Sequence, residues 1–137
     1  SREAVAEGNM PFGATLVSPA GALLWTAMNN QITSGDCTGH AELVLVRDAT
    51  AKLGADALRG GTVYASGEPC AMCSGAMFWA GIRRVVFAAS QHDIIEALGG
   101  DQLPIRSAQV YAGASPAVQV DGPLQREAAI AVLRQGR

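Results

Sequence analysis

Two cysteines and one histidine in this chain have the types and the spacing of metal ligands. Cys70 and Cys73 lie three positions apart in the segment Pro69-Cys70-Ala71-Met72-Cys73, and His40 precedes them by thirty positions. If a helix starts at this segment, both thiols share one face at its N-terminus, where the helix dipole lowers thiol pKa values. Two adjacent thiolates repel each other unless a cation lies between them. The pattern therefore predicts a metal site, with a redox-active cysteine pair as the alternative.

The number of ligands indicates what kind of metal site this is. One histidine and two cysteines supply three protein ligands and leave one position open, which is typical of catalytic zinc. Glu42 follows His40 by two positions in Thr38-Gly39-His40-Ala41-Glu42. Such neighbours point about 200° apart on a regular helix, so we predict that His40 lies in the first turn, where both can reach one pocket. Zinc lowers the pKa of a bound water towards ~7, and a carboxylate that is not a ligand can exchange protons with it.

The composition limits the possible partners. The chain has 137 residues, of which 49% are hydrophobic and 16% charged, and a net charge of -2. Arg83-Arg84 is the longest basic run, and nucleic-acid binding usually needs a larger basic surface, so we expect no nucleic-acid partner. No apolar run approaches the ~20 residues of a membrane span, and we expect neither a membrane segment nor a secretory leader. Three cysteines do not make a disulfide framework, which favours the cytoplasm.

Hydrophobic periodicity and turn residues predict one α/β domain over residues 1–137. We predict helices over 1–8, 40–53, 70–80, 93–98 and 124–133, and strands over 12–18, 22–28, 62–66, 84–89 and 117–120. Pro69 is predicted in the first turn of the third helix, where its missing N–H costs nothing.

Several motifs together resemble a known family. They are Pro11-Phe12-Gly13-Ala14, Asn29-Asn30, Thr38-Gly39-His40-Ala41-Glu42, Glu68-Pro69-Cys70-Ala71-Met72-Cys73-Ser74-Gly75-Ala76-Met77 and Arg84-Val85-Val86-Phe87. The order H-x-E then P-C-x-x-C is the signature of zinc deaminases. The chain resembles the cytidine-deaminase-like zinc hydrolase superfamily, within it the branch of bacterial guanine deaminases and tRNA adenosine deaminases.

The resemblance implies a fold and a reaction. The expected fold is a three-layer α/β/α sandwich with a central five-stranded mixed sheet. One Zn²⁺ would be held by His40, Cys70 and Cys73, and Glu42 would shuttle protons while an amino-substituted ring is hydrolysed to release ammonia. A homodimer is expected as well.

The resemblance also implies residues that contact the substrate. Asn29 and the backbone of Ala41 would bind the ring, and Asp101 would assist proton transfer to the leaving amine. Phe78-Trp79-Ala80 matches the pattern of guanine deaminases, which makes Trp79 a candidate wall of the substrate pocket, with a core position as the alternative. Cys37 is expected to be a small semi-buried residue rather than a fourth metal ligand.

Three functions remain to be distinguished. The first is a zinc hydrolase acting on a small-molecule nucleobase, guanine before other amino-heterocycles. The second is deamination of adenosine to inosine in tRNA, through a flipped-out base. The third is a non-catalytic module that keeps zinc only for structure, which the retention of Glu42 disfavours.

Overall fold

Five strands form one mixed sheet in the computed structural model, which describes residues 1–136; Arg137, the last residue of the predicted domain, lies outside the described part. The strands are β1 (Gly13–Val17), β2 (Leu23–Met28), β3 (Thr62–Gly67), β4 (Arg84–Ala89) and β5 (Gln119–Asp121). Their order is β2-β1-β3-β4-β5. β1 is antiparallel to β2 and β3, whereas β3, β4 and β5 are mutually parallel.

Seven α-helices accompany the sheet within residues 1–136. They are α1 (Arg2–Ala6), α2 (Gln31–Ser34), α3 (Ala41–Leu53), α4 (Ala71–Ala80), α5 (Gln91–Leu98), α6 (Ser107–Val110) and α7 (Arg126–Gln135). Each of the ten predicted helices and strands is found; β4 has the predicted bounds, and the other nine have shifted ends. No helix within residues 1–136 is both long enough and apolar enough to cross a membrane.

The main core lies between the sheet and helices α3 and α4. Leu45 of α3 and Met77 of α4 are fully buried against Leu16, Val63 and Val85 of three adjacent strands. Leu16 and Val63 alternate with more exposed residues along β1 and β3, as the two faces of a strand require, whereas Val85 begins a run of three buried residues in β4.

A smaller apolar cluster joins α5, α7 and the end of β4. Ala97 and Leu133 pack there with Ala89. Sheet and helices together make the three-layer α/β/α sandwich with a five-stranded mixed sheet, as predicted.

The helix starts differ from the prediction in a way that matters for the site. His40 is not in the first turn of α3 but is its N-cap, with extended backbone angles (φ -70°, ψ 144°). Cys70 caps α4 in the same manner (φ -71°, ψ 174°), so Pro69 precedes the helix instead of lying in its first turn. Because an N-cap residue is not helical, its side chain is free of the 3.6-residue period. His40 and Glu42 can therefore face one cavity although they are only two positions apart.

Three short helical elements were not predicted. Helices α2 and α6 and the 3-10 turn Ala55–Leu58 have four residues each, too few to display a hydrophobic period. Helix α5 begins at Gln91 rather than Asp93 because Ser90 and Asp93 form a reciprocal capping box.

Candidate active site

The three predicted metal ligands converge at the N-termini of α3 and α4. Their ligand atoms all lie within 4.8 Å of one another. The Sγ of Cys70 is 3.5 Å from the Nδ1 of His40, which makes Nδ1 the nitrogen that faces the thiols. Cys73 follows in the first turn of α4 and is fully buried. The structure thus brings together residues that are thirty positions apart in the chain.

The protonation of these residues shows why they suit a cation. The hydrogen bond between the two thiols lowers the pKa of Cys70 and raises that of Cys73, and burial raises the latter further. The pKa of His40 is raised chiefly by its hydrogen bond to Cys70. The two cysteines therefore share one proton between their sulfur atoms. A divalent cation can take the place of that proton and stabilise both thiolates. One imidazole and two thiolates are ligands that zinc prefers, and they leave one position open.

Glu42 lies beside the ligand cluster but does not belong to it. Its side chain is only 6% exposed. Burial, together with the negative charge of Cys70, raises the pKa of Glu42 to about 7. Among residues 1–136, no Lys or Arg forms an ion pair with Glu42. A carboxylate in these surroundings can both take up and release a proton near neutral pH.

A cavity of about 690 Å³ opens in front of this cluster. It is lined by His40, Glu42, Cys70 and three further predicted site residues, Asn29, Ala41 and Asp101. Its volume falls within the range of small-molecule sites. Trp79 is not among the lining residues; it lies on α4 with 84% of its surface exposed, its ring against the edge of Phe78. Within this chain, Trp79 therefore contributes neither to the cavity nor to the core.

The orientation of the Asn29 amide is determined by its neighbour. The backbone N–H of Gln31 donates to Asn29 Oδ1 (3.0 Å), and Asn29 Nδ2 donates to Gln31 Oε1 (3.3 Å). Since a backbone N–H can only donate, the amide oxygen must face Gln31. The second hydrogen of Nδ2 makes no hydrogen bond within residues 1–136, so it can donate to an acceptor in the cavity.

Backbone donors also face the cavity. Ala41 is the first residue of α3 and is fully buried while lining the cavity. The first N–H groups of a helix have no acceptor within the helix. The N–H of Ala41 therefore has no acceptor within α3, and its contact with the substrate stays a prediction.

A second cavity, of about 890 Å³, is lined by residues of α1 and of four strands, among them Tyr64 and Val86. Size alone does not identify the active site. Among residues 1–136, His40, Cys70 and Cys73 form the one cluster of metal-ligand side chains with metal-binding geometry. Two of them, His40 and Cys70, line the smaller cavity, and Cys73 is buried behind them. Cys37 lines that cavity too, but it is exposed and is not part of the cluster.

Sequence reasoning missed two polar residues in the wall of this cavity. Glu68 lies immediately before Pro69, is 7% exposed, and is bound by donors from α5 and α6. Gln31 orients Asn29 from within the short helix α2. Glu68 is the one charged residue between Thr62 and Ala80, and this isolated charge was a signal that the sequence offered. Nothing in the local sequence identifies Gln31.

Fold and site together define a zinc-dependent hydrolase. Residues 1–89 match the family of the cytidine and deoxycytidylate deaminase zinc-binding region, and the chain belongs to this family. It is accordingly a hydrolytic deaminase with a zinc site formed by His40, Cys70 and Cys73.

Similar proteins differ in the base they are named for. A probable cytosine deaminase of Schizosaccharomyces pombe is 40% identical over 134 residues, which cover 95% of this chain and 81% of that protein. The structure of a guanine deaminase from Nitrosomonas europaea superimposes with a TM-score of 0.84 at 30% identity, covering 98% of this chain and 77% of that one. A tRNA-specific adenosine deaminase of Haemophilus influenzae is 37% identical over 90 residues, 66% of this chain and 52% of that protein, so this chain spans about half of its length.

Proposed function

We propose that the chain removes the exocyclic amino group of a free nucleobase by hydrolysis, with guanine as the first candidate. The single observation that carries the proposal is the cavity lined by Glu42, Asn29 and two of the three metal ligands, His40 and Cys70. The likeness to the guanine deaminase structure, over 98% of this chain, supports guanine. The base itself is decided by experiment.

The chemistry follows from the residues around the cavity. When bound by His40, Cys70 and Cys73, zinc activates water as the nucleophile at neutral pH. Glu42 takes a proton from that water and delivers it to a ring nitrogen. Glu42 then carries a second proton to the amino group, which leaves as ammonia as its bond to carbon breaks and a carbon–oxygen bond replaces it.

Substrate recognition is assigned to three further residues that line the cavity. The Nδ2 of Asn29 and the N–H of Ala41 are donors and would bind acceptors of the base, such as a carbonyl oxygen or an unprotonated ring nitrogen. Asp101, in the loop after α5, would accept hydrogen bonds from N–H groups of the ring or help protons reach the leaving amine. Guanine has both an acceptor edge and N–H donors, so it satisfies these three groups.

Cytosine is the second candidate. The probable cytosine deaminase is 40% identical over 95% of this chain, which supports cytosine. Deamination of adenosine in tRNA is retained as the alternative because tRNA-specific adenosine deaminases are also relatives.

A panel of amino-bearing substrates tests the proposal. Zinc-loaded protein is incubated with guanine, cytosine, adenine, guanosine, cytidine and a tRNA anticodon stem-loop, and ammonia release is measured. We expect turnover of a free base and none of the stem-loop. Turnover of the stem-loop alone, with binding that weakens steeply with salt, contradicts the proposal and assigns the chain to tRNA modification.

The assembly and location are part of the same proposal: one deaminase domain over residues 1–137, acting as a homodimer in the cytoplasm. Free thiols at Cys37, Cys70 and Cys73 support a reducing compartment. Met72 and Trp79 give α4 an exposed apolar side, at 38% and 84% exposure, which supports a dimer. Since Trp79 lies away from the cavity of its own chain, its predicted contact with substrate requires that it reach the cavity of a second copy. Light scattering on the parent protein and on Trp79→Ser tests both points: we expect a dimer that the substitution weakens.

A further inference from the structure

A buried ion pair connects the start of α4 to the loop Gly99–Arg106, here called the α5–α6 loop. The side chain of Glu68 is 2% exposed, and its Oε1 accepts from Arg106 Nη2 at 3.0 Å. Arg106 Nε lies 3.2 Å from each carboxylate oxygen, and Ser107 Oγ donates to Oε2 at 3.3 Å. The backbone N–H of Gln91 donates to Oε1 at 2.8 Å. Both oxygens of Glu68 are therefore occupied, which leaves this carboxylate no role as a proton carrier.

The middle of the α5–α6 loop is held by the side chain of Gln91, whose backbone N–H binds Glu68. The side-chain Nε2 of Gln91 donates to the carbonyl of Leu103 (2.7 Å) and to Gln102 Oε1 (3.2 Å). The backbone of Gln91 is anchored by Glu68, and Arg106 ends the loop. The loop is thus attached both at its middle and at its C-terminal end to the residue that stands two positions before Cys70.

The loop has little else to hold it. It contains no helix or strand, its residues are exposed, and it begins at two glycines with positive φ, Gly99 and Gly100. Nevertheless Gly99 to Leu103 line the cavity, including Asp101. Because the α5–α6 loop has no helix or strand of its own, its position depends on the side-chain contacts made by Gln91 and Arg106.

We propose that Glu68 is a positioning residue that, through Arg106 and Gln91, holds the α5–α6 loop as the substrate-facing wall of the cavity. The inference deepens the proposed function, on which it rests for the identity of the substrate. Its effect is on binding of the base and on the placement of Asp101, not on the metal.

The chain offers a matched control for this ion pair. Asp93 and Arg126 form a second pair of the same kind, with a carboxylate that is 1% exposed and an arginine that is 52% exposed, as Arg106 is. Arg126 also approaches its carboxylate through Nε and Nη2. That pair joins α5 to α7 and does not touch the α5–α6 loop.

The experiment compares Arg106→Gln with Arg126→Gln. For Arg106→Gln we expect KM for the accepted base to rise about tenfold, a loss typical of a misplaced binding group, with one zinc per chain retained. Amide hydrogens of residues 99–106 should exchange faster, and Glu68→Gln should behave in the same way. For Arg126→Gln we expect KM within about twofold of the parent protein and unchanged exchange in that loop, because the hydrogen bonds of the Arg126 side chain go to Asp93 and none of them goes to residues 99–106.

Two results overturn the proposal. One is unchanged KM and unchanged exchange of residues 99–106 in Arg106→Gln; the other is an equal rise of both in Arg126→Gln, which would indicate general destabilisation. If no base on the panel is turned over, the proposed substrate class fails, whereas the exchange comparison still decides the role of Glu68.

Discussion

Two buried glutamates face the same cavity in opposite surroundings. Glu42 and Glu68 are 6% and 7% exposed, and both line the space in front of the zinc ligands. Glu68 is bound by an arginine, a hydroxyl and a backbone N–H. Glu42 lies beside the thiol of Cys70, and its pKa is raised to about 7.

The difference shows what makes a buried carboxylate catalytic. Charge-assisted hydrogen bonds from several protein donors hold the carboxylate of Glu68 in one place. Glu42 has no arginine partner among the described residues, and burial is the largest cause that raises its pKa. Glu68 thus serves as an anchor, while Glu42 can carry protons, although both are glutamates next to metal-ligand segments.

Removal of the metal is expected to have the largest effect on activity. It should also distinguish the role of Glu42 in catalysis from that of Glu68 in holding the α5–α6 loop. Dialysis against a chelator, or His40→Ala, should abolish ammonia release, since the nucleophile depends on zinc. Added zinc should restore activity to the dialysed protein but not to the variant. Exchange of residues 99–106 should stay unchanged, because Glu68 is held by protein groups. Residual turnover in metal-free protein would contradict the account of the site.

The second effect, about tenfold, concerns Glu68. Glu68→Gln keeps an acceptor for the N–H of Gln91 but loses the charge that binds Arg106, so KM should rise while kcat falls less. Steady-state kinetics on the accepted base give both constants. A fall in kcat as large as that caused by loss of the metal, with KM unchanged, would mean that Glu68 takes part in proton transfer.

The third prediction concerns the control pair and is an effect on stability. The hydrogen bond to Arg126 lowers the pKa of Asp93 from 3.8 to about 2. A shift of this size is equivalent to about 2 kcal/mol of the free energy of unfolding. Because the folded pKa is lowered, this contribution is present above pH ~4 and is lost as the pH falls towards 2.

The contribution of the Asp93–Arg126 pair to the free energy of unfolding is measured by denaturant unfolding of Arg126→Gln and of the parent protein at several pH values. We expect a difference near pH 6 that is smaller than about 2 kcal/mol, because the hydrogen bonds from Ser90 also lower the pKa of Asp93 and are kept in the variant, and that shrinks below pH 4. A difference that does not change with pH would show that the arginine acts by packing rather than through the charge of Asp93.

The smallest effect is expected at Cys37. This thiol lines the cavity but is exposed and lies outside the metal cluster. Cys37→Ser should leave zinc content and kcat within about twofold of the parent protein, as expected of a surface position. Loss of zinc in this variant, measured by metal analysis, would make Cys37 a fourth ligand and close the site.

The metal cluster and most of the fold were predictable because their signals are local. His40 and Glu42, and likewise Cys70 and Cys73, lie within three positions of each other, and each pair marks a helix start. The alternation of apolar residues along β3 predicted a strand of the sheet, and the helical spacing of apolar residues in α3 predicted a helix that covers it. The errors at these starts were of one position, since an N-cap residue cannot be distinguished from a first-turn residue by periodicity.

What could not be predicted depends on contacts between distant parts of the chain. Arg106 and Ser107 lie 38 and 39 positions after Glu68, so no spacing rule connects them. Likewise, the family pattern suggested Trp79 for the pocket, but only the packing of α4 shows that its indole faces outward. The role of Asp101 remains a prediction that the loop's position in the cavity wall makes testable.

The most direct test of the account is a comparison of Glu42→Gln with the parent protein in ammonia release and zinc content together. Glutamine has the same size but cannot carry a proton. We expect kcat to fall about 1000-fold, the scale of general acid–base catalysis, with one zinc retained per chain. Activity close to that of the parent protein, with zinc in place, would contradict the assignment of Glu42 as the proton carrier.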